Sequence, residues 1–171
     1  HNFGTIETWC TTFERQHRTD GTTLHLAEDW RLAWAQTLTF DALIGNTDRH
    51  QENWGFIWSR LPNESMISLR LSPVFDNGTS LGHELQSDQF ARFEVPENLQ
   101  RYIDKGHHHM KWRIDEPQRS GHVELLLKFL GKFPQTRPAM LEVLRFAPRD
   151  LDDVILPLTR LRLPVPLSEE R

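Results

Sequence analysis

Cysteine and long apolar stretches are both scarce in this sequence of 171 residues. Its single cysteine, Cys10, cannot form an internal disulfide, and one unpaired thiol is typical of a reducing compartment. A membrane-spanning helix needs about 20 consecutive apolar residues, whereas the apolar segment 123–130 is already interrupted by Glu124 and Lys128. We therefore expect a soluble, cytoplasmic protein with no membrane partner.

An excess of charge of one sign is also absent. The 20 Lys and Arg residues nearly balance the 24 Asp and Glu residues, which gives a net charge of −4 with neutral histidine. The composition therefore does not favour a nucleic acid as a direct partner. Hydrophobic residues make up 37% of the chain, with ten Phe and six Trp, which is typical of a compact globule rather than a disordered chain.

The chain lacks internal repeats and low-complexity linkers, so residues 1–171 are expected to form a single domain. It begins with His1 rather than methionine, and no signal-peptide pattern follows. This start predicts that the chain is part of a longer polypeptide, and N-terminal processing, which would give the same start, stays as the alternative.

The spacing of apolar residues predicts an α+β fold that is mostly α-helical and contains one small β-hairpin. A long amphipathic helix is expected over residues 26–44, ending at Gly45 and Asn46, which favour the left-handed backbone that closes helices. The other expected elements are strands over 54–59 and 66–71, helices near 97–104, over 122–130 with Ser120 as its cap, from about Pro138 toward Phe146 and over 150–156, and an extended tail over 161–171.

A dense group of polar residues lies between the expected long helix and the hairpin. Asp48 and Asn53 are five positions apart, which on a helix would separate them by about 140° and prevent them from sharing a ligand. On irregular backbone they can converge with Asp76, which follows the hairpin. This order is typical of phosphotransferases, in which the first carboxylate accepts or orients the hydroxyl proton and the other two oxygens hold Mg²⁺ against the phosphates. A structural role for all three, in tight turns, stays open.

Two segments carry a resemblance to a known family. Residues 40–55, FDALIGNTDRHQENWG, and residues 71–82, LSPVFDNGTSLG, resemble the catalytic and metal-binding loops of the HipA-type bacterial kinases. Those kinases are similar in fold to eukaryotic protein kinases and, in the Asp-Arg-His…Asn loop, to the phosphatidylinositol kinases. The resemblance implies a protein-kinase-like C-lobe and a transferase that phosphorylates Ser or Thr of a protein substrate with ATP and Mg²⁺.

The resemblance also assigns roles to single residues. It implies that Asp48 is the catalytic base, that Arg49 and His50 support it in the catalytic loop, and that Asn53 and Asp76 bind Mg²⁺ and with it the nucleotide. A histidine two positions after the base is expected to brace the loop by hydrogen bonding. Because HipA-type proteins include toxins of toxin–antitoxin pairs, the resemblance also makes an antitoxin a candidate partner.

A complete kinase needs an N-lobe, and the sequence lacks the signatures of one. It contains no G-x-G-x-x-G, no G-x-x-x-x-G-K-[ST] and no strand with the expected lysine, and the roughly 25 residues before the long helix are too few for a five-stranded lobe. We expect a C-lobe that lacks its N-lobe and is weakly active or inactive alone. A phosphatidylinositol-type lipid kinase fragment and a non-catalytic kinase remnant that binds an antitoxin or a split subunit stay as alternatives.

Other conspicuous residues have simpler interpretations. The run His107-His108-His109 is expected to form a polar loop near the substrate face, because adjacent residues of an extended segment point in opposite directions and rarely share one metal ion. Trp30 and Trp34 lie one helical turn apart and are expected in the core. Residues 78–82, GTSLG, match the G-x-S-x-G pattern of serine hydrolases. A Ser-His-Asp hydrolase is still not favoured, because these residues lie in a polar turn with no helix expected directly after it, whereas the nucleophile elbow joins a strand to a helix.

Overall fold

The computed structural model describes residues 1–14, 16–60 and 62–160, and the tail expected over 161–171 lies outside them. As expected, the fold is α+β with more helix than strand. In chain order the elements are α1 (Phe3–Glu14), β1 (Thr23–Leu26), α2 (Trp30–Ile44), β2 (Phe56–Ser59), β3 (Met66–Leu71), a 3-10 helix (Ser87–Glu94), α3 (Pro96–Lys105), α4 (His122–Lys132), a second 3-10 helix (Pro134–Thr136), α5 (Arg137–Val143) and α6 (Pro148–Thr159). None of the helices in this described part combines the length and apolar character needed to cross a bilayer.

The strands form one sheet with the order β1-β3-β2. β2 and β3 are the predicted hairpin, antiparallel, with Phe56 opposite Leu71. The sequence analysis did not predict β1, which pairs in parallel with β3 so that Thr23 lies opposite Met66. β1 has only four residues, and its partner follows some 40 residues later, so the local sequence carries little sign of it. A long-range contact therefore extends the hairpin to three strands.

The long helix begins four residues later than the sequence predicted. Leu26 is the last residue of β1, and Asp29 caps α2 by accepting a hydrogen bond from the Arg31 N–H at 2.9 Å. Pairing with β3 keeps residues 23–26 extended and buries Leu24 and Leu26. Burial of these two side chains outweighs the helical spacing that the apolar residues also satisfy.

The carboxyl end of α2 lies where the sequence predicted. Gly45 has a left-handed backbone, with φ of 65°, and its N–H donates to the Asp41 carbonyl. The Asn46 N–H donates to the same carbonyl at 2.8 Å. This tight turn brings the following loop, residues 46–53, back against the last turn of the helix.

The core is formed mainly by aromatic and aliphatic side chains of the helices. Trp30 and Trp34 are buried there, as predicted. α1, which the sequence analysis did not predict, contributes Phe3, Ile6 and Cys10. Burial raises the pKa of the Cys10 thiol to about 12, so the single cysteine stays protonated and unreactive in the folded protein.

The helices of the second half agree with the sequence analysis, except at one cap. α4 begins at His122 as predicted, but its cap is Gly121, whose N–H donates to Glu124 Oε2 at 3.2 Å. The prediction that Ser120 is the cap is wrong: its buried hydroxyl accepts no hydrogen bond from the described residues of α4, and its carbonyl accepts from the His108 N–H in the preceding loop. The helices predicted near 97–104, toward 146 and over 150–156 correspond to α3, a shorter α5 and a longer α6.

We expect Gly45→Ala to lower the free energy of unfolding by about 1 kcal/mol, because alanine is disfavoured in the left-handed region. A Cβ at this position would meet no atom within 4 Å, so the loss is conformational rather than steric. Gly45→Asn should be less destabilising, since asparagine tolerates this backbone. Urea unfolding of both variants measures the difference.

Gly131→Ala in α4 is the matched control, since its Cβ would also enter open space. In a right-handed helix this change should be neutral or stabilising by up to about 1 kcal/mol. An equal loss at both positions would contradict the role given to the left-handed turn.

Candidate active site

Asp41 lies in the last turn of α2, on the buried face that also carries Trp34 and Leu38. Its side chain is fully buried, so its charge needs partners that replace water. Arg49, which is also fully buried, provides them: Nε donates to Asp41 Oδ2 at 3.0 Å and Nη2 donates to Oδ1 at 2.7 Å. This bidentate arrangement is the strongest geometry for a guanidinium and a carboxylate.

Arg49 also holds the two loops that carry the predicted site residues. Its Nη1 donates to the carbonyl oxygens of Asn53, at 3.0 Å, and Phe75, at 2.6 Å. Its Nη2 donates to Asn77 Oδ1 at 2.6 Å. Asp76 therefore lies between two residues that contact Arg49, and its loop is held against the loop of Asn53.

Both oxygens of the Asp41 carboxylate have a second partner. Asn46 Nδ2 donates to Oδ1 at 2.9 Å, and His108 Nε2 lies 3.2 Å from Oδ2. Burial by itself would raise the pKa of Asp41, but the hydrogen bonds from His108 and Arg49 and the charge of Arg49 outweigh it and hold the pKa below its usual value. Asp41 therefore stays ionised at neutral pH, and its ion pair with Arg49 persists.

Asp48, the predicted base, lies at the solvent-facing edge of this network. Its N–H donates to Asn46 Oδ1 at 3.1 Å, and its side chain is 40% exposed. His50 Nε2 lies 3.8 Å from one carboxylate oxygen and His109 Nδ1 lies 3.4 Å from the other. His50 Nδ1 in turn accepts from the Glu52 N–H at 3.2 Å, a contact within the loop. The partly exposed Asp48 carboxylate can accept a proton from a hydroxyl that comes within hydrogen-bond distance of it.

The predicted magnesium ligands differ in exposure. Asn53 is buried, and its Nδ2 donates to the Asp48 carbonyl at 2.7 Å, which orients the amide and leaves Oδ1 as the acceptor. Asp76 is exposed and has a left-handed backbone, with φ of 54°. Asparagine and aspartate tolerate this backbone better than other non-glycine residues, and it marks a position that its surroundings determine.

These donors suit Mg²⁺, which prefers oxygen ligands and is usually held by one or two carboxylates together with phosphates and water. Asn53 offers one amide oxygen and Asp76 offers one carboxylate. Within residues 1–14, 16–60 and 62–160, no cluster of three or more His, Cys, Asp or Glu side chains is arranged to hold a metal ion. A cation at this position would therefore take most of its remaining ligands from phosphate and water.

The three imidazoles of the histidine run have three different partners. His107 Nδ1 lies 2.5 Å from a backbone carbonyl oxygen, His108 is buried against Asp41, and His109 faces Asp48. Burial, together with a nearby positive charge, lowers the pKa of His109. The run does not converge on one point, and two of its rings belong to the candidate active site.

Asp41, His108 and Asn77 are parts of the site that the sequence analysis did not identify. Asp41 does carry a signal, because it lies three and seven positions after Leu38 and Trp34 on one helix face, and an acid on a buried face needs a partner. His108 and Asn77 carry no such signal, since their contacts are formed only by folding.

His122, the first residue of α4, packs its ring against His108 with 5.7 Å between the ring centroids. Both ring nitrogens of His122 are buried, and neither has a hydrogen-bond partner within the described residues. Burial lowers the pKa of His122 to about 4. The folded protein therefore keeps this ring neutral at pH values at which the unfolded chain protonates it.

Comparison with known proteins gives one distant similarity. No family model matches the chain, and no curated protein matches it. The solved structures that match include a proinflammatory kinase, CtkA, of Helicobacter pylori, with 20% sequence identity and a TM-score of 0.45. The similarity covers 70% of this chain and 46% of the kinase, so the chain spans less than half the length of that protein.

Replacement of Arg49 by methionine should lower the free energy of unfolding by roughly 3–5 kcal/mol, because it leaves the Asp41 carboxylate buried without its ion-pair partner. Methionine retains the apolar stem, so the loss is mainly electrostatic. Arg145→Met is the control, since Arg145 and Glu142 form an exposed pair with side chains 75% and 63% exposed. It should change stability by about 0.5 kcal/mol or less. Similar losses for both variants in urea unfolding would contradict the assignment.

Stability should fall as the pH is lowered from about 6.5 to about 4, because in this window the unfolded chain binds a proton at His122 that the folded protein does not bind. Between pH 7 and pH 5 this contribution is about 2 kcal/mol. His122→Gln lacks the titratable ring and should reduce the pH dependence by that amount. His25→Gln, at an exposed position, should leave the dependence unchanged, and equal pH dependence of wild type and His122→Gln would refute the prediction.

Proposed function

We propose that this chain is the C-terminal lobe of a HipA-like Ser/Thr protein kinase, which transfers the γ-phosphate of ATP to a protein hydroxyl. The observation that carries the proposal is the position of Arg49. One buried guanidinium contacts the Asn53 carbonyl and both neighbours of Asp76, so the loops of the predicted base and metal ligands lie together. Turn caps with independent roles would not need a shared buried cation.

In this proposal Asp48 orients the attacking hydroxyl and accepts its proton. The carboxylate suits this role because it is partly exposed and its backbone is held by Asn46. His50 braces the loop by accepting a hydrogen bond from the Glu52 N–H. The buried Arg49 positions the loop through its hydrogen bond to the Asn53 carbonyl.

Asn53 and Asp76 would hold the magnesium ion of the nucleotide. When bound, Mg²⁺ neutralises charge that develops on the transferred phosphoryl group. Asn53 contributes a neutral oxygen whose orientation is set by its hydrogen bond to Asp48. One carboxylate and one amide avoid placing excess negative charge against the phosphates.

The phosphate clamp of a kinase is not among the motifs of residues 1–171. We propose that an N-lobe from outside these residues supplies it, and that the isolated chain transfers phosphate weakly or not at all. The partners in this proposal are a protein substrate, the N-lobe and an antitoxin. Calorimetric titration of the isolated chain with Mg·ATP should show no tight binding, and an affinity tighter than micromolar would contradict the missing clamp.

Asp48→Asn should reduce phosphate transfer at least about 100-fold, because the variant cannot accept the hydroxyl proton. The assay combines the chain, the product of the neighbouring gene, a protein acceptor and Mg²⁺ with ATP labelled at the γ-phosphate. Asp76→Asn keeps a side chain that tolerates the left-handed backbone and should raise the Mg²⁺ concentration needed for half-maximal transfer.

Asp152→Asn, at an exposed position of α6, is the control and should leave transfer unchanged. Phosphate transfer by Asp48→Asn at the wild-type rate would contradict the proposed function. Label that appears only on phosphatidylinositol vesicles added in parallel would favour a lipid kinase. Binding of the neighbouring gene product without any transfer would favour a non-catalytic binding module.

A further inference from the structure

One partner of the buried Asp41 carboxylate, His108, lies in the segment that precedes α4. His108 is 1% exposed, and its Nε2 lies 3.2 Å from Asp41 Oδ2, the oxygen that also accepts from Arg49 Nε. The Met110 N–H donates to His108 Nδ1 at 3.1 Å. Because Nδ1 accepts a hydrogen bond, the ring is neutral, its proton is on Nε2, and Nε2 donates to Asp41.

The backbone of His108 is fixed by contacts with the segment before α4. The His108 N–H donates to the Ser120 carbonyl at 2.9 Å, and the Ser120 N–H donates to the Met110 carbonyl at 3.4 Å. His107 and Gly121 form an isolated β-bridge beside them. The imidazole therefore approaches the network from a separate, anchored part of the fold.

The other partners of Asp41 and Arg49 are Asn46 and the two loops that Arg49 holds, so these contacts fix the loops relative to the pair but do not fix the pair relative to α4. Both side chains have rotatable bonds, and a bidentate ion pair keeps its geometry when both groups move together. A donor from another element removes this freedom, since it fixes one carboxylate oxygen relative to α4. His108 is the donor in that position.

We propose that His108 is a positioning residue of the candidate active site, which determines through Asp41 and Arg49 where the loop of Asp76 lies relative to Asn53. The contacts are continuous: His108 donates to Asp41, Asp41 accepts from Arg49, and Arg49 donates to residues on both sides of Asp76 and to Asn53. Residues hydrogen-bonded directly to metal ligands typically change metal affinity 10–100-fold. His108 acts through Asp41 and Arg49, so we expect an effect at the lower end of this range. The part of this inference that concerns metal affinity rests on the proposed function.

Two substitutions separate the two hydrogen bonds of the ring. His108→Gln places an amide N–H near the position of Nε2 and retains a donor to Asp41. His108→Asn places a carbonyl oxygen near the position of Nδ1 and retains only the acceptor for the Met110 N–H. Both replacements are neutral amides, so they differ mainly in which bond survives.

Nuclear magnetic resonance on the whole chain provides a readout that does not require activity. Gly78 follows Asn77, which accepts a hydrogen bond from Arg49, so its amide reports on the loop of Asp76. In His108→Asn we expect the Arg49 Nε–H and Gly78 amide signals to shift, and Mn²⁺ to broaden the Asn53 side-chain amide only at about tenfold higher concentration. In His108→Gln these signals and the Mn²⁺ dependence should stay close to wild type. Thermal unfolding of the same samples reports stability separately.

Unchanged Arg49 and Gly78 signals in folded His108→Asn would overturn the proposal, even with reduced stability, because a merely structural residue behaves in this way. Equal shifts in both variants would also overturn it. If His108→Asn does not fold, the test is the tautomer of His108 in the wild type, read from the ¹⁵N shifts of its ring. A proton on Nε2 supports donation to Asp41, and a proton on Nδ1 would overturn the proposal.

Failure of the proposed function gives a different result. In that case Mn²⁺ does not broaden the Asn53 amide of the wild type, or Asp76→Asn leaves the broadening unchanged. The Arg49 and Gly78 signals of the two His108 variants still decide whether His108 positions the loops, because those signals are recorded without metal.

Discussion

The candidate site depends on one buried ion pair, between Arg49 and Asp41. Removing two charges from water is unfavourable by several kcal/mol per ion, and a buried pair offsets this only when its other hydrogen-bonding groups are also satisfied. Arg49 meets the condition through hydrogen bonds from Nε, Nη1 and Nη2 to side chains and to the carbonyls of Asn53 and Phe75. A different position of either loop would leave a buried N–H unpaired, so the ion pair specifies one arrangement of both.

The site has two layers of side chains: a buried layer that holds the loops in place, and an outer layer that a ligand could contact. The buried layer contains Asp41 and Arg49, which touch no solvent and cannot contact a substrate. The outer layer contains Asp48 and Asp76, whose carboxylates reach solvent. Asn46 holds the backbone of Asp48, and Arg49 contacts both neighbours of Asp76. Groups that bind ligands on loops work best when a rigid scaffold positions them, and here a single guanidinium connects the loops to the last turn of α2.

Patterns within short segments predicted much of the fold. The hairpin, the end of α2 at Gly45 and the start of α4 follow from strand propensity, left-handed backbone preference and helix spacing. The roles assigned to Asp48, Asn53 and Asp76 stay predictions, although the structure brings their loops together. α1, β1 and the true cap of α4 were missed, because β1 depends on pairing with β3 and Ser120 is engaged by the loop of His108.

The amino-acid sequence by itself determined the end of α2, the hairpin and the start of α4, because backbone preferences and apolar spacing act over a few residues. It also predicted which residues are candidates for chemistry. Only the tertiary structure decided which of those residues meet. His108 contacts Asp41 across 67 positions, and Arg49 reaches Asn77 across 28. Such partners are selected by the requirement that every buried charge and N–H be satisfied, a condition that exists only once the chain has closed around them.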